Sequence, residues 1–106
     1  MKQIFIDKFS IPKDAYEEFV QRMNYNRNFL RTLPGFLEDS AYERIDESGN
    51  IIVITVAIWE NLEVLNKAKE AVQAEYKRIE FNPEEFLNRL KITMDRGIYK
   101  EISINL

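Results

Sequence analysis

The chain has 106 residues, 45% of them hydrophobic and 31% charged, with three Gly and three Pro; this composition excludes disordered and fibrous classes and points to one globular domain over 1–106. Fifteen Lys and Arg against eighteen Asp and Glu leave a formal charge of −3, which offers no basic footprint for a phosphate backbone and argues against nucleic acid as a partner. Cysteine and histidine are both absent, so thiolate chemistry and thiolate metal sites are excluded, and the commonest general base and metal ligand is missing.

A chain of this size buries roughly two-thirds of its unfolded surface, enough for one core with little surplus, so a sizeable ligand pocket is expected to need a second subunit. Met1 to Phe9 alternates charged and apolar residues without the pattern of a cleaved leader. No run reaches the ~20 apolar residues of a membrane helix. A cytoplasmic protein without membrane contact is the expectation.

Gln3-Ile4-Phe5-Ile6-Asp7-Lys8-Phe9 is rich in β-branched and aromatic residues and stops at Ser10-Ile11-Pro12, which predicts a strand and then a turn. Ser10 or Asp14 is a candidate cap for a helix over about Lys13 to Arg31, where Tyr16, Phe19, Val20, Met23 and Leu30 fall at helical spacing. Leu33-Pro34-Gly35 ends it. Phe36 to Ile45 and Ile51 to Trp59 read as antiparallel strands joined by the polar loop Asp46-Glu47-Ser48-Gly49-Asn50.

Leu62, Leu65, Ala68, Val72, Tyr76 and Ile79 recur every three or four positions, predicting an amphipathic helix that ends near Phe81-Asn82-Pro83. Pro83 to Leu87 reads as a short helix with Asn82 as its cap and Pro at the first position. A strand from about Lys91 to Ile104 completes the order. The pattern is that of an α+β, ferredoxin-like βαββαβ fold, with an antiparallel sheet and both helices on one face. Ile51 to Trp59 is apolar on both faces, yet helices cover only one. The other face is expected to meet a second copy in a sheet-to-sheet homodimer, the alternative being that the last residues fold back over it.

Arg27 is the residue that breaks the apolar stripe of the first helix. It lies four after Met23 and three before Leu30, inside the polar patch Asn24-Tyr25-Asn26-Arg27-Asn28. It can fix an anionic oxygen at the edge of a cavity, or pair with Asp7, or reach solvent from the helix end. Trp59, the only Trp, is either a plug at the sheet edge or the aromatic wall of a pocket. Tyr76 can donate to a ligand oxygen or pack in the core. Asp7 shares a strand face with Phe5 and Phe9; buried there it can act as a base, unless it is locally exposed or ion-paired. Glu38-Asp39, Asp46-Glu47 and Glu84-Glu85 are expected to be solvated charge or helix-dipole complement. No glycine-rich phosphate loop, nucleophile elbow or spacing for a hard cation is present.

With the Leu33-Pro34-Gly35-Phe36 turn, the apolar strand ending in Ile58-Trp59-Glu60-Asn61 and the helix that follows at once, nearly the whole chain resembles the antibiotic biosynthesis monooxygenase domain, a dimeric α+β barrel. The resemblance implies a homodimer that uses oxygen without metal or cofactor to oxidise a small aromatic phenol, anthrone or quinol. It implies Trp59, Arg27 and Asp7 as catalytic residues, and Asn24, Asn28, Tyr76 and Met23 as the substrate-binding set. The haem-degrading branch, which uses a first-strand Asn and a His on the second helix, is disfavoured, because Asp7 stands at the first position and there is no His. A catalytically inert binding or structural module of the same fold is the alternative.

Overall fold

The computed structural model describes residues 1–103. Strand β1 (Gln3–Ile11) is followed by a 3-10 turn (Lys13–Ala15) and helix α1 (Tyr16–Leu30). Strands β2 (Phe36–Ile45) and β3 (Ile51–Trp59) form a hairpin, helix α2 (Leu62–Arg78) returns, and a short helix α3 (Pro83–Arg89) leads into strand β4 (Thr93–Tyr99). The sheet order is β2-β3-β1-β4, with every neighbouring pair antiparallel. This is the expected α+β ferredoxin-like arrangement: β1 and β2 are separated by β3, so each helix crosses over one intervening strand on the same side.

Local chemistry accounts for most boundaries. In the β2–β3 hairpin, Asp46 Oδ1 accepts from the backbone N–H of Ser48 and of Asn50, both at 2.9 Å, and Gly49 takes the left-handed φ of 84° that closes the loop. Asp46 is thus a turn-forming group as well as surface charge. Asn61 caps α2 by accepting from Val64 N–H at 2.9 Å, and Asn82 caps α3 by accepting from Glu85 N–H at 3.0 Å.

Four boundaries differ from expectation. Neither Ser10 nor Asp14 caps α1: Ser10 belongs to β1, paired with Ile52, and the helix begins through the 3-10 turn, where Ala15 N–H donates to Pro12 O at 2.9 Å. Helix α2 stops at Arg78, because Glu80 turns left-handed (φ 56°) and Phe81 N–H donates back to Tyr76 O at 2.8 Å. Lys91, also left-handed (φ 58°), ends α3 and delays β4 to Thr93. The last strand ends at Tyr99, which pairs with Ile4; β1 supplies almost no chain beyond that point to pair with. Residues 100–103 have no regular structure, and Ile104, the expected end, lies outside the described residues.

The molecule measures 42 × 42 × 18 Å, the thickness of one sheet plus one layer of helices. On the helix-covered face, two separate clusters form the core. One gathers Ile11, Ala15, Phe19, Val53 and Ile92 beneath the start of α1 and α3. The other gathers Ala57, Trp59, Leu65 and Ala68 beneath the start of α2. Between them runs a cross-strand row of Thr55, Asp7 and Arg96. The opposite face carries Ile4, Ile6, Ile52, Ile54, Val56 and Ile58, alternating with the core residues of β1 and β3.

The α1–β2 turn is held tightly. Gly35 has φ 80°, its carbonyl accepts from Glu60 N–H at 2.9 Å, and a Cβ placed on it would collide with the Val64 side chain. Gly49 has the same backbone sign but open space around it. Gly49→Ala is therefore expected to cost about 1 kcal/mol, from backbone strain alone. Gly35→Ala adds overpacking and is expected to cost about 2–4 kcal/mol. Urea denaturation of the two variants measures the difference.

Candidate active site

The gap between the two clusters is a cavity of about 910 Å³ inside a single chain. This corrects the expectation that a sizeable pocket needs a second subunit. Its floor is the middle of the sheet, its roof is formed by α1, α2 and the start of α3, and its lining surface is mostly apolar with polar groups converging on it, the usual make-up of a small-molecule site.

Trp59 borders one end. Its side chain is 1% exposed and packs edge-on against Phe36, with ring centroids 5.4 Å apart. It is therefore both a core residue and a wall, which joins the two readings of this position.

Asp7, 7% exposed, is held by a two-point fork: Arg96 Nε donates to Oδ1 at 2.7 Å and NH2 to Oδ2 at 2.9 Å. The same guanidinium lies 5.0 Å from the Phe5 ring centroid. Asp7 is thus ion-paired, as one of its readings held, and both of its oxygens are occupied. The pair keeps Arg96 raised above the usual arginine range, through the hydrogen bond first, while partial burial pulls the other way.

Arg27 does not pair with Asp7. Its Nε donates to Asp39 Oδ2, and Arg31 donates to both Asp39 oxygens at 3.1 and 3.4 Å. Asp39, expected as solvated charge beside Glu38, is instead a half-buried clamp that ties the end of α1 to β2. Burial pushes its carboxyl up, and the two guanidiniums outweigh that and hold it below the ordinary aspartate value.

Tyr76 and Met23 both line the cavity. Burial pushes the Tyr76 phenol up, against the downward pull of the Arg96 and Arg22 guanidiniums and of the neighbouring Asn26 amide. Tyr76 is consequently a neutral donor at physiological pH. Asn24 and Asn28 lie on the exposed side of α1 and do not line the cavity; Asn28 Oδ1 accepts from Arg31 at 3.2 Å. Of the amides in this patch, Asn26 is the one that faces the cavity.

Asn26, named from the sequence only as part of the polar patch, borders the cavity, as do Arg22, Thr55 and Arg96, which were not singled out. Arg22 and Asn26 follow Phe19 and Met23 by three residues, so the helical spacing that flagged Arg27 reaches them as well. Arg96 carries no local signal, because its place opposite Asp7 is set by strand register. Among the described residues, no group of three or more carboxylates is placed to hold a metal ion, and no helix is long and apolar enough to cross a membrane.

The sequence matches no protein-family model and no curated protein. Its three-dimensional likenesses are extensive. SnoaB, a cofactor-independent oxygenase from Streptomyces nogalater, superposes with TM-score 0.66 at 18% identity, covering 97% of this chain and 95% of its own. A candidate monooxygenase from Shewanella loihica gives 0.70 at 21% identity, covering 97% and 96%. A candidate antibiotic biosynthesis monooxygenase from Deinococcus radiodurans gives 0.64 at 17% identity, covering 98% and 97%. The chain shares the ferredoxin-like α+β fold of these proteins. At these identities the likeness establishes the architecture, which leaves the chemistry to be argued from the cavity.

The Asp39 clamp sets a pH dependence. Because its folded pKa is depressed, its stabilisation is fully present above the unfolded aspartate value near 3.9 and is lost as pH falls through the folded value. Asp39→Asn is expected to lower stability at neutral pH by about 1–2 kcal/mol. The gap to wild type should narrow as pH falls below the unfolded aspartate value near 3.9 and close below the lower folded one, as followed by urea unfolding across a pH series.

Proposed function

We propose that the chain is a cofactor-independent monooxygenase acting on a small aromatic phenol, anthrone or quinol. The observation that carries this reading is the cavity, with Trp59 as an aromatic wall at one end and Tyr76, Asn26 and Arg96 as donors over its floor. The fold shared with a cofactor-independent oxygenase supports it.

An electron-rich aromatic can pass electrons to oxygen itself once its hydroxyl or acidic C–H is deprotonated. One oxygen atom ends on the ring carbon, the other leaves as water, and the substrate supplies all the electrons. The protein's task is to stabilise the substrate anion and exclude water. Tyr76 O–H and the Asn26 amide are the donors for the substrate oxygen. Arg96 commits Nε and NH2 to Asp7 and supplies positive potential beside it. Asp7 acts through Arg96, and Arg27 through Asp39, so both are positioning residues in this scheme. With no histidine, deprotonation is driven by the lowered pKa of the bound substrate, with water taking the proton.

We further propose that the chain works as a homodimer joined through the outer sheet faces. The support is the contiguous Ile4, Ile6, Ile54, Val56 and Ile58 surface, which no helix covers. A dimeric ferredoxin-like protein from an uncultured marine organism has the same fold.

Oxygen uptake by chelator-treated protein on a panel of anthrones, dihydroxynaphthalenes and hydroquinones tests the enzyme reading. Saturable uptake above autoxidation is expected, falling about 10- to 100-fold in Tyr76→Phe and also reduced in Trp59→Phe. Uptake that never exceeds autoxidation on this panel rejects it and leaves an inert binding or structural module. Sedimentation should give twice the 12.6 kDa chain mass, and Val56→Lys, which places a charge in the apolar face, should give monomer.

A further inference from the structure

The cavity is bordered by a half-buried cation without an acceptor, which the proposed oxidation does not itself require. Three carboxylates at its edges are fully engaged by the protein: Asp7 by Arg96, Asp39 by Arg27 and Arg31, and Glu75 by Arg78 at 2.7 and 2.9 Å and by the Tyr25 hydroxyl. Those donors hold Glu75 down at about 2, so it stays ionised and occupied throughout the physiological range. Two bordering cations are left over, Lys69 and Arg22. Lys69 is exposed, whereas Arg22 is half-buried on the cavity side of α1, and among the described residues it has neither a carboxylate partner nor a hydrogen-bond acceptor. Glu84 also borders the cavity but makes no ion pair with it.

What holds Arg22 in place is stacking. Its guanidinium carbon lies 3.9 Å from the Phe81 ring centroid and 5.2 Å from that of Tyr25. Phe81 is itself fixed edge-on against Tyr76, with centroids 5.1 Å apart, and packs tilted against Phe86 at 5.3 Å. Aromatic contacts occupy the face of a guanidinium and leave its in-plane N–H edge available. A planar fork of donors, immobilised and without an acceptor, is preorganised for a carboxylate.

We propose that Arg22 is the specificity-determining anchor of this cavity, and that its ligand is an aromatic carboxylate. The ring system reaches toward Trp59, and the carboxylate lies against the N–H edge of Arg22. A phenol with an unperturbed pKa near 10 arrives neutral, whereas a carboxylic acid arrives already ionised, so only the acid offers Arg22 a full counter-charge on binding. This inference rests on the reading of the cavity as a small-molecule site and adds the substrate class to it: an oxidisable hydroxyarene that also carries an acid.

Calorimetric titration of the full chain with a hydroxynaphthoate and with the matching hydroxynaphthamide separates the terms, since the two share the ring system and size and the acid alone carries a negative charge and two acceptor oxygens. The acid is expected to bind wild type about tenfold tighter or more. Arg22→Gln should remove that preference by weakening the acid far more than the amide, and Arg22→Lys, which keeps the charge but not the fork, should retain part of it. Equal binding of acid and amide to wild type overturns the proposal, as does an Arg22→Gln variant that weakens both alike. If neither probe binds, the anchor is rejected. Oxygen uptake on the neutral panel then decides whether the monooxygenase reading survives without it.

Discussion

The ion pair between Asp7 and Arg96 is the constraint around which the rest of the helix-covered face is arranged. A carboxylate near the middle of an otherwise apolar sheet surface is tolerated only with a partner that satisfies both oxygens, and β4 supplies it from the directly opposed position. No apolar helix side chain can settle over that row without stripping water from the remaining polar edge of the pair. Helices α1 and α2 therefore bury their apolar stripes at the two ends of the sheet. The consequence is two small cores with a cavity between them.

This arrangement also shows why so small a chain can hold a cavity. Each cluster is closed by aromatic and aliphatic contacts of its own, Phe9 against Phe19 in one and Phe36 against Trp59 in the other. The helices are then fixed to one another and to the sheet by polar ties around the rim: Asp39 with Arg27 and Arg31, Tyr16 with Glu43, and Tyr25 with Glu75. Exposed ties of this kind contribute little stability singly. Their value here is geometric, since they set the spacing of elements whose facing sides are not packed together.

Much of the fold was legible because its signals are local. Alternation in β1, the three- and four-residue spacing of α2, the polar hairpin loop, and the Asn61 and Asn82 caps each depend on residues a few positions apart. The parts that were not legible depend on distant ones. Asp39 looks like surface charge until two arginines at the end of α1 are seen to close on it, and Arg96 carries no signal until register sets it opposite Asp7. Asn26 and Arg22 are an intermediate case. The helical spacing that flagged Arg27 also reaches them, but which residue of a polar patch faces inward depends on the roll of α1, which the distant contacts of Phe19 determine. Strand β4 was expected to run too long because its length is set by the partner it pairs with.

The position of Trp59 has a spectroscopic consequence. It is the only indole in the chain, it is shielded from bulk water, and it stands where the second core meets the cavity. Its emission therefore comes from one environment and is undiluted by other tryptophans. Unfolding of that core and entry of an aromatic molecule beside it perturb the same chromophore in different ways, the first by hydrating it and the second by quenching or energy transfer without hydration. The chain thus carries a built-in optical gauge that separates loss of structure from occupation of the site.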